Sequence, residues 1–480
     1  MNLARHSITA TAPVHILDIR LEPDARIFTI ATPQGFAVYR TCPLSLLRKR
    51  ELSGGTLSQV VPLHTSSLLF LVGGGASPLY PPNKVILWDD VLGREVAELE
   101  FRERVRGLAC RRGWLAVSLR RRVVVFQVGE QVTRYGEWET CDNPSGLLAI
   151  ATNAYSTLLA IAGRKTGHVQ LIHLPPCPPP VSRDPPPPGP PRKPPAAPSR
   201  PLQSIMIDAH TSALTTLTVP PSGRLVATTS ERGTLVRIWD THSGKPVGVF
   251  RRGTDKAEIY GVAFRPDERE FCVWSDKGTV HVFALGGSDA SNRKSSFSPL
   301  APFIPLPKYF DSEWSYAQYR IPTQSAHIAL SSTSSRTPAN NAELPDEERC
   351  VVGWIGVPVD DGPGARIAEY QLLAITHRGG WYRLGLPTTP KQRRASMSSS
   401  PSRAAAPSSA GSGWRVPASL AGSPPKHASA AHYRMSSAAS SSSRLDKGKD
   451  RERDKGDKEK ETTECTLLEF RRFGRWDGWS

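Results

Sequence analysis

Two short segments of this chain repeat, and their repetition limits the possible folds more than any other feature. Ser230-Glu231-Arg232-Gly233-Thr234 and Ser275-Asp276-Lys277-Gly278-Thr279 each lie between apolar, strand-like runs. A short Gly-bearing turn between such runs predicts a β-hairpin, which brings the flanking Ser and Thr together. The hairpins recur 45 positions apart, from Ser230 to Ser275, a period that fits blades of a WD-type propeller of roughly 40 to 45 residues. Arg237-Ile238-Trp239 and His281-Val282-Phe283 match as outgoing strands, the first one residue longer, and a β-bulge is expected to absorb the difference.

Between the hairpins lies Phe250-Arg251-Arg252-Gly253. Successive side chains on a strand point to opposite faces, so Arg251 and Arg252 are expected to serve two anion sites. Each arginine has a hydroxyl-bearing hairpin beside it.

The same periodicity divides most of the remaining chain into blades. Blades one to four occupy 14–174: Ile16 to Leu52, Val60 to Phe101, Val105 to Thr140 and Ser145 to Leu174. Blades five to seven occupy 202–386, with blade five at Ser212 to Arg252, blade six from Ile259 and blade seven over Ala326 to Leu386. Residues 175–201 are too proline-rich for sheet and are expected to be an extended, disordered insertion. Residues 387–463 collapse to Ser, Ala, Pro and mixed charge, a composition that cannot bury enough apolar surface to fold. Strand-like sequence returns at 464–473 and is assigned to the outer strand of the last blade, so the Ser/Ala-rich tract is a loop of a closed ring. The predicted fold is therefore all-β, a seven-bladed β-propeller carrying disordered insertions.

A third excursion, 286–313, interrupts blade six and differs in kind. It mixes Arg293 and Lys294 with Phe297, Leu300, Phe303, Ile304 and Leu306, which are poor residues for a solvated loop. The run Arg120-Arg121-Arg122 is a tight basic turn, for which solvation is the simpler expectation.

Bulk properties narrow the function classes. The formal net charge of +17 implies attraction to polyanions, either nucleic acid or the anionic cytoplasmic face of a membrane. The aromatics read as strand core and much of the excess charge sits outside the blades, which argues against a nucleic-acid partner. Seven scattered cysteines with no Cys-x-x-Cys pair argue against a disulfide framework or a zinc site and favour a reducing compartment. No run approaches the roughly 20 apolar residues of a spanning helix, so membrane association is expected to be peripheral. Phosphate-loop, nucleophile-elbow and His-Glu-x-x-His motifs are missing, so neither catalysis, a cofactor nor a metal is expected.

The chain resembles the PROPPIN family of phosphoinositide-binding β-propellers, most closely its smaller fungal branch. The resemblance rests on Phe250-Arg251-Arg252-Gly253, the paired hairpins, and Leu71-Val72-Gly73-Gly74-Gly75 followed by Pro81 to Asp90 with Trp88-Asp89. It implies one phosphoinositide site from His210, Ser230, Thr234 and Arg251, and a second from Arg252, Ser275, Thr279 and His281. It also implies that the 286–313 loop enters the bilayer interface, and that phosphatidylinositol 3-phosphate and phosphatidylinositol 3,5-bisphosphate are the ligands. A monomer acting in autophagy at phagophore, endosomal and vacuolar membranes is the expectation, with an autophagy lipid-transfer protein or other autophagy factor docking on blades two and three. A propeller that binds only proteins, with the two arginines as surface charge, is the alternative.

Overall fold

The computed structural model describes residues 15–63, 66–153, 156–175, 204–293, 312–322, 349–358, 367–387 and 464–473. Among these, the regular elements are all strands, and they form seven sheets taken in chain order. Blade one is β1 (Asp18–Leu21), β2 (Ile27–Thr32), β3 (Gly35–Arg40) and β4 (Ser45–Glu51); blade two is β5 (Leu57–Pro62), β6 (Leu68–Gly73), β7 (Lys84–Asp89) and β8 (Arg94–Glu100). Blade three is β9 (Gly107–Arg111), β10 (Trp114–Ser118), β11 (Arg122–Val128) and β12 (Val132–Glu139); blade four is β13 (Leu148–Ile150), β14 (Leu158–Ala162), β15 (His168–His173) and β16 (Ile205–Asp208). Blade five is β17 (Leu214–Thr218), β18 (Leu225–Ser230), β19 (Leu235–Asp240) and β20 (Pro246–Arg251). Blade six opens with β21 (Ile259–Phe264), β22 (Glu270–Ser275) and β23 (Thr279–Ala284). A two-residue strand, β24 (Glu313–Trp314), then adds to blade five in parallel with β20, before β25 (Ala317–Arg320) completes blade six. Blade seven is β26 (Cys350–Pro358), β27 (Ile367–Thr376), β28 (Gly380–Gly385) and β29 (Thr466–Arg472).

Burial follows strand position. Second strands such as β10 and β14 are buried at every residue, because both faces meet neighbouring blades, and their composition is accordingly almost wholly apolar, with Ser118 the one polar residue of the two. Outer strands β8 and β12 are largely exposed and alternate only in their second halves, where Glu98 and Glu100, and Glu137 and Glu139, are exposed between half-buried residues. The strand after the Ser/Ala-rich tract pairs with β28 from Gly380↔Arg472 to Gly385↔Thr466. Its continuation, Phe473, packs edge-on against Phe28 and Tyr39 of blade one, beside Trp381 and Leu373, so blades seven and one share a core and the ring closes through side-chain packing. First strands of six blades line a central cavity of about 610 Å³, through residues such as Ile19, Gly107, Ile150, Thr216, Val262 and Val352.

The expected membrane loop residues Phe297, Leu300, Phe303, Ile304 and Leu306 lie outside the described residues, as do 176–203, 326–348 and 388–463. The basic turn of blade three is neutralised locally: Arg120 forms a two-pronged pair with Asp142, and Arg122 meets Glu103 and Glu137. Among the described residues six cysteines are free thiols.

Candidate functional site

The two repeated hairpins do form, and their turns depend on glycine. Gly233 and Gly278 sit at φ +61° and +68°, the left-handed region that other residues enter only with strain, and each donates its N–H to the carbonyl of Ser230 or Ser275. Gly233 is also tightly enclosed, since a Cβ there would lie 1.8 Å from the carbonyl oxygen of Ala257, whereas the nearest atom for Gly278 is 3.8 Å away. The expected β-bulge between the matched strands is not what absorbs the extra residue. The β18–β19 register runs unbroken from Leu225↔Asp240 to Thr229↔Val236, and the β22–β23 register ends at Trp274↔Val280. The additional residue therefore lies in the turn, which is the cheaper place because it breaks no ladder bond. Thr234 stays in the turn while Thr279 opens β23, and Arg237 occupies the position that His281 has in blade six.

Arg251 and Arg252 are both buried and leave the sheet in opposite directions. Arg251 pairs with Leu235, and two residues further along the same face stand Val249, Arg237 and Thr228. That face meets the link from blade four: Arg237 donates to the carbonyl of Ala209, and His210 Nε2 lies 3.0 Å from Thr228 Oγ1. The opposite face carries Phe250, which packs into blade six against Phe271 and Phe283. Arg252 continues on that second side. Its Nε donates to the Gly233 carbonyl at 3.0 Å and its Nη2 to the Asp255 carbonyl.

On the blade-four side the structure thus brings Arg251, Ser230 and Thr228 onto one face, with His210 against it. The Thr228 hydroxyl also accepts from Trp239 Nε1 at 3.1 Å, so His210, Thr228 and Trp239 form a buried chain. Burial, reinforced by the Arg237 guanidinium, lowers the His210 pKa to about 4 and keeps the imidazole neutral near pH 7. Arg251 donates from Nε to Ser312 Oγ at 2.8 Å, and its guanidinium lies 6.0 Å from the Trp314 ring centroid.

On the blade-six side, the Arg252 guanidinium is close enough to act on the His281 imidazole. Burial, then the positive charges of Arg252 and Arg293, lowers the His281 pKa to about 4. Burial also lowers the Arg252 pKa, against the opposing pull of the Asp276 and Asp255 carboxylates. Ser275 is buried, with its Oγ accepting from the Lys277 N–H at the long distance of 3.4 Å, and Thr279 is half-buried at the start of β23. Chemically this is a cluster of guanidinium, neutral imidazole and hydroxyl groups, which suits a multiply charged oxyanion.

The sequence did not point to the chain segment that separates the two arginines. Ser312 and Trp314 reach Arg251, while on the alternate positions Glu313 bonds Asn292 and Ser315 lies 3.2 Å from His281 Nδ1. The signal was present as a period of two in Ser312-Glu313-Trp314-Ser315, but four residues are too few to distinguish a strand from a loop end. Thr228 and Arg237 belong to the same face, since both share parity with Ser230 and Arg251 along their strands.

The PROPPIN family model matches residues 201–326, which contain both hairpins and both arginines. SVP1-like protein 2 of Pichia angusta is 32% identical over 322 residues, an alignment covering 66% of this chain and 84% of the relative. Among solved structures, Kluyveromyces lactis Hsv2 superposes with a TM-score of 0.56 at 19% identity, covering 79% of this chain and 95% of that one. A complex described as KlAtg21 with the coiled-coil of AgAtg16 gives 0.53 at 16% identity, over 78% and 95%. The structural likenesses show the fold, and the family-model match with the relative's identity and coverage carries the assignment: this chain belongs to the PROPPIN family.

Proposed function

We propose that this protein is a peripheral membrane effector that binds phosphatidylinositol 3-phosphate and phosphatidylinositol 3,5-bisphosphate through two sites flanking β20. His210, Ser230, Thr234 and Arg251 serve the first; Arg252, Ser275, Thr279 and His281 serve the second. The observation that carries this reading is the pair of consecutive, buried guanidiniums that diverge to opposite faces, Arg251 bonded to the Ser312 hydroxyl on the face where His210 meets Thr228, and Arg252 acting on the imidazole of His281. A guanidinium holds a phosphate through two parallel bonds, and hydroxyl and imidazole donors fill the remaining acceptor positions. The apolar residues Phe297, Leu300, Phe303, Ile304 and Leu306 add bilayer contact at about 25 cal/mol per Å² buried. Two sites and a loop on one rigid edge supply avidity from individually weak terms.

By family, the protein acts in autophagy and in traffic at phagophore, endosomal and vacuolar membranes. The Atg21–Atg16 pairing of a structural neighbour supports an autophagy protein as partner, with a lipid-transfer protein as the other candidate. Blade two offers a surface for it: Val91, Leu92 and Val96 are 78%, 57% and 52% exposed, beside the charged residues Arg94, Glu95 and Glu98. That same patch favours a second reading, a propeller that scaffolds proteins without lipid recognition.

Vesicle flotation separates the two. Wild type should float with vesicles carrying either 3-phosphorylated lipid, and Arg251→Thr/Arg252→Thr should stay in the soluble fraction at matched melting temperature. Equal flotation of both proteins on any anionic vesicle would favour the scaffold.

A further inference from the structure

The seam between blades three and four is apolar at its centre and open at its outer edge. At the centre Trp114, Val125 and Trp138 of blade three pack with Ile161, Ile172 and Leu174 of blade four. The register of β12 shifts between the partners of Val125 and Phe126, which leaves Tyr135 as the extra residue of a bulge. Its ring meets Trp114 edge-on at 4.9 Å and Trp138 at 6.5 Å with a 33° tilt, yet Tyr135 stays 44% exposed and Trp138 half-buried. On the facing wall β16 turns Ile205 and Ile207 toward blade five. Met206 between them therefore faces blade three, 47% exposed, with Gln170 as its ladder partner.

The proline-rich insertion starts at this groove and ends at it. Leu174 is buried in the seam, and the carbonyl of Pro175 accepts from Arg111 Nη2 at 3.3 Å. Arg111 is the ladder partner of Trp114, so the chain sets off beside the Trp114–Tyr135 pair. It returns at Ser204 and opens β16, the strand that carries Met206. Half of the residues in 176–203 are proline. Proline presets the polyproline II helix, whose carbonyls find no partner within the helix, and grooves that recognise it offer aromatic faces with a few donors. Tyr135 and Trp138 supply the faces, and the Trp138 indole and the Gln170 amide carry donors. At about 3.1 Å per residue such a segment spans roughly 85 Å, ample to cross the groove and come back to β16.

We propose that the groove between blades three and four is the docking surface for the chain's own 176–203 segment, with its prolines seated on Tyr135 and Trp138 and against Met206. Docked there, the segment is withheld from proline-recognising domains of other proteins, which must displace it from the groove before they can bind it.

The test uses the full chain, a full-length variant in which 176–203 is replaced by a Gly/Ser segment of equal length, and a fluorescent peptide spanning 178–201. The peptide should bind the replaced variant, and should bind wild type at least about tenfold more weakly, because the tethered segment competes at high effective concentration. In the replaced background Tyr135→Ala should weaken the peptide by about tenfold, the effect of losing an anchoring ring, and Tyr135→Phe should recover most of that loss. Met206→Ser, a change on the exposed facing wall, should weaken it by less at unchanged melting temperature. A peptide with its prolines changed to alanine should not bind. Equal affinity for wild type and the replaced variant, no binding to the replaced variant, or indifference to both Tyr135→Ala and Met206→Ser would each overturn the proposal. Self-association of wild type that the replacement abolishes would overturn it as well, by giving the groove to the segment of a second copy.

Discussion

Two of the chain's clusters of consecutive arginines have opposite surroundings. Arg120, Arg121 and Arg122 sit on an exposed turn of blade three, facing Asp142, Glu103 and Glu137. Arg251 and Arg252 are buried at the end of β20, where Arg251 donates to the Ser312 hydroxyl and Arg252 to the backbone carbonyls of Gly233 and Asp255. Burial is what separates the two clusters: less water screens a buried guanidinium, so its field is stronger than that of an exposed arginine in a surface ion pair.

The largest expected effect comes from altering the buried pair. Arg251→Thr/Arg252→Thr should reduce affinity for vesicles containing phosphatidylinositol 3-phosphate by more than about a hundredfold, since at least two charge-assisted contacts of ~1.5–3 kcal/mol each are lost. The triple change Arg120→Gln/Arg121→Gln/Arg122→Gln should alter it by no more than about twofold, because exposed ion pairs contribute little. Co-sedimentation at matched vesicle charge measures both, and comparable losses would erase the distinction.

The next effect concerns the packing that aims the two arginines apart. Phe250→Ala removes a ring packed edge-on against the stacked pair Phe271 and Phe283, and should cost about 3–5 kcal/mol in denaturant unfolding. Headgroup binding to any folded remainder should weaken at both sites, because Phe250 fixes the strand that carries both guanidiniums.

A smaller contrast separates the hairpins. Gly278→Ala should cost about 1 kcal/mol, from the left-handed backbone alone. Gly233→Ala should cost clearly more, since its new methyl would collide with the Ala257 carbonyl. Equal losses would mean that the turns are not distinguished by packing.

The last effect is a pH slope. His210 and His281 bind protons in the folded state only near pH 4, below the ordinary histidine range of about 6.5. The unfolded chain takes up those protons first, so stability should fall as pH drops from about 6.5 to about 4. His281→Asn should flatten part of that slope in thermal melts across the same window.

The repeat of 45 residues and the alternation of apolar residues made the blades legible, because strand period and turn glycines are local properties. The divergence of Arg251 and Arg252 was legible for the same reason. What escaped was non-local. Ser312 lies 61 positions from Arg251, and Ser315 lies 34 from His281, with the 286–313 excursion intervening. The extra residue before Val236 was visible, but whether a bulge or a turn would absorb it depended on ladder bonds that the sequence does not display. Thr228 looked like an ordinary strand threonine, and only the packing of blade five against the link from blade four gives its hydroxyl both His210 and Trp239 as partners.

The most direct measurement is the stoichiometry of inositol 1,3-bisphosphate binding by calorimetry, in wild type and in the single variants Arg251→Gln and Arg252→Gln. Two sites in wild type and one in each variant is the predicted result. A single site in wild type, or loss of all binding in either variant, would show that the two arginines grip one anion together and would contradict the separation of the sites.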